Sequence, residues 1–153
     1  NWHVFQAHER MVRTGDWLFI RNAYPNLQNL CMEGDPTFPA GAELWEEEEK
    51  GNLKTEQRDV FQVPRPAMEL YHVGKDPHQL SNVADLPENA AVVKQMNELL
   101  DRWTEETADT IPDNPSPNRQ TPLGKRFKGW KHGEMPGASK NATGVNAKGP
   151  VLR

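Results

Sequence analysis

Two histidines and a glutamate near the start of the chain are the side chains best suited to hold a metal ion: His3, His8 and Glu9. Imidazole nitrogens and carboxylate oxygens are common protein ligands of zinc and related metals. The zinc pattern His-Glu-x-x-His places the glutamate between two histidines on one face of a helix. Here the glutamate follows both histidines, so the spacing does not match that pattern. We therefore predict no metal site in this chain.

A run of glutamates, Glu46–Glu49, is the second feature that could do chemistry. Clustered carboxylates can bind a metal ion or a basic partner. Residues 42–50, AELWEEEEK, also have the composition of a short acidic helix that ends before Gly51 and Asn52. We favour this second interpretation, in which the glutamates form a solvated helix face.

The overall composition excludes several classes of function. With 22 acidic and 18 basic residues, the chain has no general electrostatic attraction for nucleic acid. It contains no apolar run of the roughly 20 residues that span a bilayer. A single cysteine, Cys31, excludes an internal disulfide and a cysteine-rich zinc module, and it leaves the redox compartment open. We expect neither a nucleic-acid partner nor a membrane partner.

The elements that must position these residues begin with a predicted hairpin. Two runs of strand-forming residues flank Gly15-Asp16, a dipeptide that favours a tight turn. The second run, residues 17–20, is apolar on both faces and should be an inner strand. Residues 68–73, MELYHV, predict a further strand, with Leu70 and His72 on one face and Tyr71 on the other.

A long amphipathic helix is the clearest predicted element. Asp85 and Glu88 have the spacing of a capping box, and Pro87 suits the first turn. The helix should run to about Thr107 and pack on the sheet. Its apolar face is predicted to contain Val92, Val93, Met96, Leu99, Leu100 and Trp103.

The predicted fold class is α+β. We expect a small antiparallel β-sheet with one long amphipathic C-terminal helix packed on it, followed by an irregular extended tail. The predicted boundaries are residues 1–111 for the sheet-and-helix domain, which includes the acidic insertion. Residues 112–153 form the tail, which is rich in Pro and Gly and lacks apolar periodicity.

The stretch MELYHVGKDPHQLSNVA, residues 68–84, carries an unusually specific turn. Pro77 presets the backbone, Asp76 can accept hydrogen bonds from turn amides, and Asn82 can satisfy amides before the helix. The order Glu69-Leu-Tyr71, Asp-Pro and Asn resembles the closing segment of type I sulfatases, the formylglycine-dependent sulfate ester hydrolases. His72, Gln79 and Val83 depart from the residues usual in that family.

The first 22 residues also resemble this family. The segments Asn1-Trp2-His3 and Ile20-Arg21-Asn22, with the Arg-x-x-Arg-Thr run between them, resemble a branch that includes heparan N-sulfatase (sulfamidase). Val4, Gln6 and Ala7 stand where that branch often has acids. The likeness covers roughly residues 1–110, and its strength lies in the order and spacing of several moderately specific motifs.

The resemblance implies that the chain is the C-terminal subdomain of a sulfatase acting on sulfated sugars such as glycosaminoglycans. In the family this subdomain is a sheet of about four strands with a helix, and it closes one side of the substrate pocket. The chain has no Cys/Ser-x-Pro-x-Arg sequence for formylglycine and no Asp-Asp pair. It also begins without Met or a leader. We therefore expect part of a larger protein, with no catalytic residue and no cofactor in this chain.

The resemblance also assigns partners and contacts. Formylglycine and calcium belong to a missing N-terminal catalytic domain, which is the expected protein partner. A sulfated carbohydrate is the expected substrate, and His3 and His8 are the candidate substrate-binding residues. Arg10 and Arg13 are candidates for pairing with acids of the catalytic domain. By the same resemblance, the protein is expected to be exported to a periplasmic, secreted or lysosome-like location.

A second class of function stays open at this point. The chain can be a non-catalytic interaction module with a sulfatase-like C-terminal fold. Such a module predicts a closed apolar surface, whereas a sulfatase subdomain predicts an apolar face where the catalytic domain docks.

Overall fold

The computed structural model describes residues 8–28, 34, 36–107, 109, 111, 128 and 129. The described residues between 24 and 65 form one compact unit, and the described residues of 8–23 and 66–111 form another. The elements in chain order are β1 (Glu9–Thr14), β2 (Trp17–Asn22), α1 (Pro39–Glu49), α2 (Thr55–Arg58), β3 (Met68–His72) and α3 (Ala90–Thr107).

The three strands form an antiparallel sheet in the order β1-β2-β3. Thr14 pairs with Trp17, so the hairpin loop consists of Gly15 and Asp16 alone, as predicted. Gly15 has a φ of 56°, the left-handed value that a two-residue hairpin turn requires at its first central position. β2 is the central strand and has buried residues on both faces, which confirms the prediction of an inner strand.

The core lies between the sheet and α3. Val12, Phe19 and Leu70 are cross-strand neighbours and form one apolar row on the face that meets the helix. Phe19 and Leu70 are 0% exposed, and Met96 and Leu100 of α3 pack against them. Partly buried side chains surround this cluster: Trp17, Val83, Ala84, Val92 and Val93. This packing confirms the predicted α+β fold with a helix on an antiparallel sheet.

The start of the helix differs from the prediction. α3 begins at Ala90, and a single 3₁₀ turn, Pro87–Asn89, leads into it. Leu86 occupies the N-cap position of that turn and makes no side-chain cap, so the capping box predicted at Asp85 and Glu88 is wrong. The Asn89 side chain instead donates to the carbonyl of Val83 at 2.9 Å, which fixes the turn from within.

Asn82 closes the outer edge of β3. Its Oδ1 accepts from the amide of Leu70 at 2.9 Å, and its Nδ2 donates to the carbonyl of Met68 at 3.2 Å. The amide of Val83 adds a bond of 2.9 Å to the carbonyl of Leu70. The same Oδ1 accepts from the amide of Ala84 at 3.0 Å. A side-chain amide thus takes the place of a neighbouring strand, which leaves this stretch of edge satisfied.

The turn after β3 is organised by Asp76, as predicted. Its Oδ2 accepts from the amide of Ser81 at 2.9 Å. Hydrogen bonds from this amide, and then from that of Leu80, lower the pKa of Asp76 below its ordinary value. Gly74 lies so close to Asp16 that an added Cβ would stand 3.0 Å from the carboxylate, which explains the glycine here.

The unit between residues 24 and 65 contains α1 and α2. Trp45 donates its indole N–H to the carbonyl of Gly34 at 2.9 Å and packs edge-on against Phe61. Lys50 pairs with Glu46 at 2.6 Å and Glu47 at 3.2 Å on the helix surface. Most of the glutamate run is exposed, which confirms the interpretation of Glu46–Glu49 as a solvated helix face.

Two expectations fall outside or partly outside the described residues. The resemblance implied about four strands, and the described residues contain three. The predicted irregular tail, residues 112–153, lies outside the described chain except for residues 128 and 129. No helix in the described part is long and apolar enough to cross a membrane.

Replacing the edge-closing asparagine tests this account. Asn82→Ala removes the hydrogen bonds to Leu70, Met68 and Ala84, and we expect the free energy of unfolding to fall by about 1–3 kcal/mol. Urea unfolding of the 153-residue chain measures the change. Ser81→Ala is the matched control, because Ser81 contributes its backbone amide to the turn. Equal midpoints for the two variants would show that Asn82 does not stabilise the strand edge.

Candidate functional site

His8 stands immediately before β1, one residue outside the strand ladder that begins with the pair Glu9–Asn22. Its φ of 44° lies in the left-handed region, where histidine is one of the few non-glycine residues found repeatedly. The side chain is half-buried, and its Nε2 atom is fully enclosed. The backbone therefore holds this imidazole in an unusual and well-defined place.

Arg10 lies two residues beyond His8 and forms a two-pronged ion pair with Asp109. Its Nε donates to Oδ2 of Asp109 at 2.6 Å, and a terminal nitrogen donates to Oδ1 at 3.0 Å. The other terminal nitrogen donates to the carbonyl of Glu9 at 3.1 Å. The side chains of Arg10 and Asp109 are only 19% and 10% exposed. Such a fork is among the strongest polar contacts available to a protein.

The end of α3 places Asp109 to receive this fork. The amide of Asp109 donates to the carbonyl of Thr104 at 3.0 Å, the 6→1 bond with which many helices end. Thr104 and Thr107 also donate their hydroxyls to carbonyls one turn earlier. The geometry of the helix end therefore sets the position of the Asp109 residue and its carboxylate.

The electrostatics of the cluster keep the His8 imidazole neutral. Burial lowers the pKa of His8 below its ordinary value of 6.5, and the positive charge of Arg10 lowers it further. The negative charge of Asp109 acts in the opposite direction and is the weaker influence. At neutral pH this histidine is an uncharged group that can both donate and accept a hydrogen bond.

A buried polar cluster lies on the other face of the sheet. Asn22 donates its side-chain amide to the carboxylate of Glu69 and to the carbonyl of Pro66, the latter at 2.7 Å. The hydroxyl of Tyr71 donates to the second carboxylate oxygen of Glu69. Glu69 is 3% exposed, so these bonds compensate for the burial of a carboxylate. The cluster joins the end of β2 to the start of β3.

The described residues include one of the two predicted substrate-binding histidines. His8 belongs to the cluster with Arg10 and Asp109, whereas His3 lies outside the described residues. Arg10 was expected to pair with acids of another domain, and its guanidinium instead binds Asp109 of this chain. Arg13 is exposed and donates to the carbonyl of Gly15 at 3.2 Å.

Asp109 is the member of this cluster that the sequence analysis missed. It lies 99 residues from Arg10 in the chain. The available signal was an acid just beyond the predicted helix end, with an arginine on a strand beneath the same helix. The sequence analysis also missed the hydrogen bond between Asn22 and Glu69, although their strands were expected in one sheet.

No group of three or more His, Cys, Asp or Glu side chains within the described residues is arranged to hold a metal ion. The side-chain charges that influence the pKa of His8 are those of Arg10 and Asp109, a cation and a single carboxylate.

Comparison with known proteins gives a distant relation. No protein-family model matches the chain. An ulvan-active sulfatase of Formosa agariphila is 29% identical over 113 residues. The match covers 72% of this chain and 19% of the sulfatase, so the chain spans about a fifth of that relative's length. The chain is therefore related to a sulfatase, distantly and to one part of it.

The lowered pKa of His8 predicts a pH dependence of stability. The unfolded chain binds a proton near its ordinary value of 6.5, while the folded chain binds it only at lower pH. Between these two values the unfolded state carries more protons, so the free energy of unfolding decreases as pH falls. Urea unfolding at about pH 7.5 and about pH 5.5, on either side of the ordinary histidine pKa, measures the decrease.

The variant His8→Gln removes this titration and should show a smaller decrease than the unaltered chain. His78→Gln is the control, because His78 is an exposed histidine in the turn after β3. If His8→Gln and His78→Gln retain the same pH dependence as the unaltered chain, His8 is not held neutral by the fold.

Proposed function

We propose that this chain is the C-terminal subdomain of a sulfatase that hydrolyses sulfate esters or N-sulfates of a sulfated carbohydrate. In this proposal it supplies part of the substrate-pocket wall and stability, and the nucleophile belongs to another domain. The observation that carries the proposal is the similarity over 113 residues to part of an ulvan-active sulfatase. The α+β arrangement of sheet and helix is the one expected for such a subdomain.

The residues of the chain indicate which catalytic groups another domain would have to supply. The sequence contains no Cys/Ser-x-Pro-x-Arg run, so formylglycine must come from a catalytic domain encoded outside these 153 residues. The same domain would hold calcium, since the described residues present no suitable group of carboxylates. The catalytic domain is therefore the proposed protein partner of this chain.

The substrate class is proposed as a sulfated polysaccharide. The relative is named for activity on ulvan, and the resemblance in the first 22 residues includes enzymes of N-sulfated sugars. His8 fits a polysaccharide because a neutral imidazole can hydrogen-bond a sugar hydroxyl without needing a charge partner. An exported location is part of this proposal, and it rests on the resemblance to the sulfatase family.

The proposal is tested by comparing the protein from the complete coding sequence with the 153-residue chain. We expect the complete protein to release sulfate from ulvan or from an N-sulfated glycosaminoglycan, and the short chain to release none above a buffer control. Sulfate is measured by ion chromatography, and the two polymers separate ester from N-sulfate hydrolysis. The upstream coding sequence should encode a Cys/Ser-x-Pro-x-Arg run. Turnover by the short chain, or an upstream region without that run, would refute the proposal.

His3 is proposed as a contact to the sugar and not to the sulfate under attack. A group that binds the substrate equally in the ground and transition states affects KM more than kcat. His3→Ala in the complete protein should lower kcat/KM on the polysaccharide by roughly ten- to a hundredfold, the value of one charge-assisted hydrogen bond. A small aryl sulfate that does not reach the pocket wall serves as the control substrate and should be little affected. Equal loss on both substrates would place His3 among the groups that polarise the sulfate.

A further inference from the structure

The two outer edges of the sheet differ in how their backbone groups are satisfied. Asn82 and the amide of Val83 bond the backbone groups that β3 directs outward at Met68 and Leu70. Among the described strands, β1 forms the opposite edge. Such an edge offers a row of amides and carbonyls to another strand unless the protein covers it.

The register identifies which residues of β1 direct their backbone groups outward. Hydrogen-bonded and non-hydrogen-bonded positions alternate along an antiparallel pair. The pair Thr14–Trp17 closes a two-residue hairpin and is therefore a hydrogen-bonded pair. The alternation then directs the amides and carbonyls of Met11 and Arg13 away from β2. No described residue hydrogen-bonds these outward backbone groups.

The side chains at this edge are exposed as well. Met11, Ile20 and Glu69 are cross-strand neighbours on the sheet face opposite α3. Glu69 is 3% exposed, Ile20 is half-buried and Met11 is 62% exposed, so burial decreases along this row toward β1. Arg13 lies on the same face and is also exposed. The uncovered part of this face is therefore the edge strand.

We propose that β1 pairs with β1 of a second copy of this chain, in the antiparallel direction, about a two-fold axis at Met11. Met11 and the partner's Met11 then exchange both backbone hydrogen bonds, and their exposed side chains contact each other. The two three-stranded sheets become one continuous sheet. This inference goes beyond the proposed function and does not depend on it.

The charges on β1 favour a second copy as the occupant and fix the register. With the axis at Met11, Glu9 lies opposite the partner's Arg13, and Arg13 lies opposite the partner's Glu9. Opposite charges at directly opposed positions stabilise an antiparallel pair, whereas like charges, which an axis at Arg13 would produce, destabilise it. Glu9 keeps the bond that its carbonyl accepts from Arg10 at 3.1 Å, because a carbonyl oxygen can accept a second bond. The segment is therefore complementary to itself.

The first arm of the test measures association of the 153-residue chain by sedimentation equilibrium. Two six-residue edges form a small contact beside the roughly 1,200–2,000 Å² of stable interfaces. We therefore expect a dimer with a Kd on the order of 0.1 mM, visible between about 10 µM and about 1 mM. A chain that stays monomeric over this range refutes pairing with a second copy and leaves the edge to another segment of the protein.

Met11→Pro tests the backbone contact, because proline lacks the outward amide and is tolerated on the solvent side of an edge strand. The hydrogen bonds between β1 and β2 do not use that amide. The variant should lose the dimer and keep a cooperative urea transition, whereas Met11→Leu should keep the dimer. A folded Met11→Pro variant that dimerises as strongly as the unaltered chain overturns the proposal.

Charge reversal tests the register independently of proline. Arg13→Glu and Glu9→Arg each place like charges opposite each other and should raise the Kd about tenfold or more. An equimolar mixture of the two variants should form a mixed dimer about as strong as that of the unaltered chain, because each arginine again faces a glutamate. A mixture as weak as the single variants refutes pairing through β1.

Lys94→Glu and Glu98→Lys are the matched controls for net charge. They make the same changes of charge on the exposed surface of α3, away from the β1 edge. Each should dimerise like the unaltered chain. If these variants and their mixture reproduce the loss and rescue seen at Glu9 and Arg13, the effect is one of net charge, and the proposed pairing is refuted.

Discussion

The packing of α3 onto the apolar row Val12, Phe19 and Leu70 is the contact on which the sheet-and-helix unit depends. Three strands with one apolar row do not form a stable sheet unless something covers that row. Met96 and Leu100 provide the cover, and burial of each such side chain contributes about 1.5–3 kcal/mol before chain entropy is subtracted. The position of the helix then decides which polar groups meet at its ends.

Polar side chains stabilise the parts of the sheet that this small core does not cover. Asn82 satisfies the outer edge of β3, and the cluster of Asn22, Glu69 and Tyr71 joins β2 to β3 on the other face. Both sets of contacts satisfy polar groups that would be costly to bury without partners, and both lie within this unit. The contacts of Asn82 explain why the segment after β3 is so specific in sequence: it builds the strand edge.

The same architecture brings Arg10 and Asp109 together. Arg10 lies in β1, and Asp109 lies just beyond the end of α3, so the helix that covers the core also positions the partner of Arg10. Displacement of α3 would move Asp109 and break its ion pair with Arg10.

The sequence by itself determined the elements whose signals are local. The hairpin at Gly15-Asp16, the central strand β2, the solvated glutamate run and the long helix ending at Thr107 follow from side-chain periodicity and turn chemistry. The predicted helix start at Asp85 was wrong, because the spacing of a capping box does not exclude a 3₁₀ turn ahead of the α-helix. Only the tertiary structure decided which charges pair. Arg10 and Asp109 are 99 residues apart in the chain. No pattern in the local sequence predicts that a carboxylate beyond the end of a helix will contact an arginine near the start of a strand. Such contacts depend on the angle and position at which α3 packs on the sheet, and those are set by the shapes of all the core side chains acting together.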